Sequence, residues 1–209
     1  VYVAPRTRFD KQHRVDSSPY HMVLLCENEE GYQNLIKLVS AAYIEGFYNK
    51  PRVDNELLRQ HHRGLICLSA CLAGRIPRML SAGDYAAAEQ AVREYVDIFG
   101  KDNFFIELQN HGIEEQKRIL PQLIKLAREN EVGLVATNDA HYINREDSSN
   151  QSILVCIQTG RTVNDPSDLE FQTDKFYIKS LEEMRQAIPD VDEAFENTVR
   201  IAERCNLEF

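Results

Sequence analysis

Apolar and polar positions follow two different periods along the chain. Four short apolar runs have the length of strands: residues 21–26 (HMVLLC), 65–71 (LICLSAC), 103–110 (NFFIELQN) and 133–141 (GLVATNDAH). The stretches between them carry helical spacing. Tyr32, Leu35, Ile36, Val39 and Tyr43 fall on one stripe. Asp54 is placed to cap a helix over 55–62, with Gly64 as its stop. Asp84 caps a helix whose Ala88, Ala91, Val92, Tyr95 and Phe99 share a face, closed by Gly100. A helix over 114–130 contains Pro121, which implies a kink or a start near that point. Further helices are predicted over 147–158, 180–188 and 192–205. Strands alternating with long helices predict βαβ units and a parallel sheet or barrel. No internal repeat or low-complexity segment interrupts the pattern. Near Gly160 the register changes, and residues 162–176 (TVNDPSDLEFQTDKF) read as a polar, turn-rich linker toward a next domain.

With 209 residues, 43% of them hydrophobic, the chain can bury one sizeable core. It holds no apolar run of about 18 residues and no visible signal peptide, so neither a membrane span nor secretion is expected. Beginning at Val1 without a Met, it reads as a fragment of something longer. Five cysteines are an odd count without a disulfide or zinc-knuckle spacing, which favours reduced thiols. The net charge of −9 argues against a free-standing nucleic-acid clamp, whose affinity comes from Lys and Arg on phosphates. It leaves open action on a phosphate ester through metal ions, or a basic surface supplied by a larger protein.

Candidate chemistry gathers at the ends of the runs. In an extended strand residues i and i+2 point the same way, so Asp139 and His141 are expected to project together. Strand C-termini carry the sites of parallel α/β folds. A carboxylate and an imidazole there suit Zn, Mn or Fe; the competing account is a capped helix start beside a surface His. Cys71 ends its run before a helix, against the usual fate of a single Cys as a buried, inert side chain. Cys67, inside the same run, reads as core. His21 opens its strand, the wrong end by this argument, and a hydrogen-bonded structural His is the plainer account. His111 follows a strand, although Asn-His-Gly also suits an ordinary turn. His61 and His62 lie at a polar helix end and read as solvated. The chain has no Gly-rich phosphate loop, no Gly-x-Ser-x-Gly elbow and no clustered carboxylate triplet.

Several longer stretches are recognisable together: YHMVLLCENEEGYQNLIKLVSAAYIEGFYNKPRVD, LICLSACLAG, FFIELQNHGIEEQ, VATNDAHY, FYIKSLEEM and NTVRIAERCN. They resemble the N-terminal polymerase-and-histidinol-phosphatase (PHP) domain of bacterial DNA polymerase III alpha subunits, and the resemblance covers essentially the whole chain. It implies a PHP-type distorted (β/α)7 TIM-like barrel, N-terminally truncated. Residues 1–159 would be its C-terminal part, and 160–209 a linker and helical lead-out toward the polymerase palm. It implies a divalent metal cluster of up to three ions (Zn, Mn or Fe). Asp139 and His141 match the last metal motif, Cys71 the family's Cys ligand, and His21 the His of the Tyr-His motif. His111 matches a common family feature, and Asn138 lies beside the last motif as a candidate to line the site. The family's His-x-His, Asp-His and Gly-x-Glu ligands are expected upstream and are not in this chain. Arg75 stands where an acidic residue is expected; it would weaken metal binding or meet a phosphate.

For the parent protein the resemblance implies a cytoplasmic replicative DNA-directed DNA polymerase, a nucleotidyltransferase with Mg at a polymerase site outside this chain. The PHP site would be a metal-dependent phosphodiesterase of 3′–5′ exonuclease type, inactive in this fragment alone. The alternative is a catalytically silent scaffold that stabilises the polymerase and docks a proofreading exonuclease. A free-standing phosphatase for a small phosphate ester is a weaker third reading. Implied partners are DNA, a sliding clamp and that exonuclease, with no membrane.

Overall fold

The computed structural model describes residues 1–162 and 173–208. Most of the expected linker at 162–176 therefore lies outside the described residues. The elements run β1 (Tyr2–Val3), β2 (Tyr20–His21), β3 (Val23–Cys26), α1 (Glu29–Ile44), β4 (Arg52–Val53), α2 (Asn55–Gln60), β5 (Leu65–Leu68), α3 (Arg75–Ser81), α4 (Tyr85–Phe99), β6 (Phe104–Leu108), α5 (Glu114–Glu129), β7 (Gly133–Ala136), α6 (Ser148–Thr159), α7 (Leu181–Ala187) and α8 (Asp192–Arg204). The predicted caps form: Asp54 Oδ1 accepts from Leu57 N at 2.9 Å, and Asp84 Oδ1 from Ala87 N at 2.9 Å. Helix α5 neither starts nor stops at Pro121 but runs through it.

A three-stranded sheet has the order β2-β1-β4 and a four-stranded sheet the order β3-β5-β6-β7. They share a bent strand. Tyr20–His21 pairs antiparallel with β1, and Val23–Cys26 pairs antiparallel with β5. Met22 between them exchanges both backbone bonds with Val1, at 2.7 and 3.0 Å. Strands β5, β6 and β7 are parallel, as the alternation of strand and helix predicts. Both sheets are open among the described residues, and the fold shown is mixed α/β.

Alternation within the strands sorts side chains to two faces. Leu65, Cys67, Phe104, Ile106 and Leu108 join the large core beneath α3, α4 and α5. Ile66, Leu68, Phe105 and Val135 form a smaller cluster on the other face. Helix α8 lies against β7, placing Ala194 and Phe195 in the large core and Ile201 in the small one. Asn197 donates to the Leu134 carbonyl at 2.8 Å, satisfying an acceptor on the open side of β7.

The stripe expected on α1 is not its buried face. Gly31, Asn34, Leu38 and Ala42 are buried, while Ile36, Val39 and Tyr43 are exposed. Close backbone approach decides this. A Cβ on Gly31 would lie 1.9 Å from the Gly64 carbonyl oxygen, so glycine lets the helix meet that turn. Asn34 is buried because its amide donates to the Arg63 carbonyl at 2.9 Å.

Candidate metal centre

At the C-terminal ends of β5, β6 and β7 a cavity of about 390 Å³ opens, lined by His21, Cys71, Glu107, Gln109, Thr137 and Asp139 among others. His21 reaches it because its strand runs antiparallel to β5. The residues that lead into β3, His21 among them, therefore lie beside the ends of the parallel strands, which removes the directional objection to this His. Its backbone N donates to Ala73 O at 3.0 Å, and its ring meets Tyr2 edge-on at 5.0 Å. Strand β5 stops at Leu68, short of the expected 71. Ala70, at φ 65°, then turns the chain, and Cys71 Sγ comes to 3.8 Å from His21 Nδ1.

Strand β7 likewise ends early, at Ala136, so Asp139 and His141 are not on one extended face. Asp139 takes a left-handed φ of 48°, tolerable for a short polar side chain. Asp139 lines the cavity. His141 Nδ1 instead faces the Asp139 carbonyl at 2.8 Å, and the His141 ring lies edge-on to Phe176 at 5.5 Å. The end of β7 and the left-handed Asp139 replace the straight strand that would have aligned the pair.

The other sequence candidates do not line this cavity. His111 is buried, stacked on Phe176 at 4.2 Å, with Nε2 at 2.5 Å from Asn138 O and Nδ1 at 3.0 Å from Gln116 Nε2. Both ring nitrogens are engaged inside the protein, the arrangement of a structural His. Asn138 holds the 177–179 segment, its amide donating to Tyr177 O at 2.7 Å and its oxygen accepting from Lys179 at 2.8 Å. Arg75 pairs with Glu94 at 2.5 Å and faces the Tyr95 ring. Its charge is neutralised on α4 rather than presented to a metal or a phosphate.

A family model described as the PHP domain matches residues 1–111. This chain belongs to the PHP domain family. It is 52% identical over 210 residues to DNA polymerase III subunit alpha of Treponema pallidum (strain Nichols), an alignment covering 100% of this chain and 18% of that protein. The same-named protein of Borreliella burgdorferi is 47% identical, over 99% of this chain and 18% of its own. That of Thermus aquaticus is 45% identical, over 100% and 18%. The chain thus spans about a fifth of the curated relatives it matches.

In this PHP domain the residue that sequence reasoning missed is Glu107. Only 5% exposed, it lies on the same face of β6 as Phe105. Thr137 Oγ1 and Gln109 Nε2 donate to its Oε1, while Oε2 and Gln109 Oε1 are buried without a partner. Burial pushes the Glu107 carboxyl up, against the bonds from Thr137 and Gln109. Burial likewise raises the Cys71 thiol and lowers the His21 imidazole, favouring the neutral ring that can ligate a metal. The available signal was a carboxylate inside the apolar run FFIEL, since an ionisable group in a buried strand needs a partner.

Imidazole, thiol and carboxylate donors on one cavity suit a borderline divalent ion, and an orphaned carboxylate oxygen is the kind of atom a cation satisfies. Among the described residues no three such side chains are already gathered around one point.

Proposed function

We propose that this chain is part of the PHP domain of a replicative DNA polymerase III alpha-type subunit, with a metal-dependent phosphodiesterase site of 3′–5′ exonuclease type. The carrying observation is one cavity at the parallel strand ends collecting His21, Cys71 and Asp139, three residues that lie far apart in sequence. His141, two residues beyond Asp139, completes the proposed ligand set. Whole-chain similarity to alpha subunits supports the replicative setting. In that setting the open sheets belong to a distorted seven-stranded barrel, with residues 1–159 in it and 160–209 leading toward a polymerase palm. The parent would be cytoplasmic, act on DNA with Mg at a separate polymerase site, and meet a sliding clamp and a proofreading exonuclease.

His21, Cys71, Asp139 and His141 would hold Zn, Mn or Fe ions, which when bound lower the pKa of a water and neutralise phosphate charge. The chain's own residues prepare that site. Tyr2 and the Ala73 carbonyl fix His21, and Thr137 and Gln109 orient the Glu107 carboxylate behind the ligands. Met22, Val23 and Ala70 form part of its wall.

The test is the metal content and single-strand digestion of the intact parent protein, with Asp139→Asn and Cys71→Ser. Each substitution is expected to reduce bound metal and slow digestion by tenfold or more, on the order seen for lost ligands and their supports. Unchanged metal and unchanged digestion in both variants would sink the reading. The 209-residue chain alone is expected to show no nuclease turnover.

The scaffold reading draws on one observation. Helix α6 exposes Ile153, Leu154 and Ile157, an apolar set that in a larger protein would sit against another surface. This is compatible with the metal site and does not replace it.

A further inference from the structure

A second cavity of about 380 Å³ lies beside the first and is basic: Lys117, Arg145, Lys175 and Lys179 line it, with Glu183 and Tyr177. This is unusual ground on a chain of net charge −9. Two of the cations are already matched, Lys117 with Glu114 at 2.6 Å and Arg145 with Asp174 at 2.6 Å. Lys175 and Lys179 have no ion pair among the described residues. Lys179 Nζ donates to two neutral oxygens, Asn138 Oδ1 at 2.8 Å and the Lys175 carbonyl, lies 4.8 Å from the centre of the Tyr177 ring, and feels the Glu183 carboxylate without forming an ion pair with it. The Lys175 side chain lies against Gly112, where a Cβ would come within 3.3 Å of its Nζ. The Glu183 carboxylate in the same wall is occupied by Tyr177 Oη at 2.6 Å and Ser180 N at 2.8 Å. Two ammonium groups on one wall repel each other, and an anion relieves that repulsion.

Consecutive residues connect the two cavities. Gln109 lines the first and Asn110 the second; Asp139 lines the first, while Asn138 holds Lys179 over the second. We propose that Lys175 and Lys179 form a phosphate subsite for the backbone of a single-stranded polynucleotide whose scissile phosphate sits at the first cavity. The inference rests on the phosphodiesterase reading and adds a second site of contact for its substrate. A chain of phosphates can occupy both cavities at once, whereas a small monoester has nothing to place at the second.

The experiment measures binding of a dye-labelled oligothymidylate to the full 209-residue chain by fluorescence anisotropy, in chelator and across a salt series. The double variant Lys175→Gln/Lys179→Gln is expected to bind about tenfold more weakly at low salt, with the log–log salt slope flattened by about 1.4 for the two lost phosphate contacts. Lys101→Gln, at the opposite end of β6, is expected to bind like the unmodified chain. Inorganic phosphate is expected to compete only at far higher concentration than unlabelled oligothymidylate. Unchanged affinity in the double variant would overturn the proposal. So would equal weakening by Lys101→Gln, competition by free phosphate as strong as by the oligonucleotide, or no binding by the unmodified chain. Circular dichroism melting shows whether the variants fold. Metal titration reads the other site separately: Asp139→Asn is expected to lose metal yet keep oligothymidylate binding in chelator. The lysine variant is expected to do the reverse.

Discussion

Asp16 shows how much a single buried carboxylate organises. Its side chain accepts from Arg6 Nη2 at 2.5 Å, Arg6 Nε at 3.1 Å and Gln12 N at 2.8 Å, and its carbonyl accepts from Arg52. The Arg6 hydrogen bonds, first among the causes, hold its pKa below the ordinary value. A depressed folded pKa gives stability that is present above the unfolded value, near about 3.9, and is lost as pH falls through the folded one. Asp16→Asn is therefore expected to lower the thermal midpoint at neutral pH, and the gap to the unmodified chain should close on acidification. A gap that stays constant with pH would assign the effect to shape rather than charge. None of this was legible in RVDSS, because the partners meet only through a loop. The caps Asp54 and Asp84 were legible, since a cap needs only its own next three residues. Glu107 was not: its relation to Thr137 and to Cys71 and Asp139 exists only once β5, β6 and β7 lie side by side.

Among the elements, α5 carries the clearest conflict between local chemistry and packing. Pro121 sits inside it, exposed, without the N–H that would reach the Lys117 carbonyl. The helix survives because Ile119, Leu123, Leu126 and Ala127 are buried along its inner face. Pro121→Ala is expected to stabilise the chain by about 1–3 kcal/mol, read as a higher midpoint in urea at unchanged slope. Destabilisation would mean that the proline sets a bend which the core requires. Helix α1 errs in the opposite direction. Its apolar stripe pointed outward because a glycine and an asparagine, poor hydrophobic markers, make the tight contact with the turn at Arg63 and Gly64.

At the scale of the molecule, α8 decides whether the end of the chain is a separate unit. Phe195 lies in the same core as Leu65 and Phe104 and faces Arg185 at 5.6 Å. Phe195→Ala is expected to cost about 3–5 kcal/mol and to shift one shared unfolding transition. Two transitions, with only the weaker one moved, would show α8 folding apart from the sheets.

The residues alone determined the alternation of strands and helices, the parallel run β5-β6-β7, most helix ends and the stretches that mark a PHP chain. All of these depend on neighbours within a turn or two, or on order along the chain. Tertiary structure decided which end of its strand His21 presents, because strand direction is a property of pairing with β5. It ended β7 before Asp139 and set that residue left-handed, engaged Arg75 with Glu94, and gathered Glu107, Lys175 and Lys179 into cavities. Those outcomes belong to contacts between distant segments, where burial and charge act only after the chain has folded.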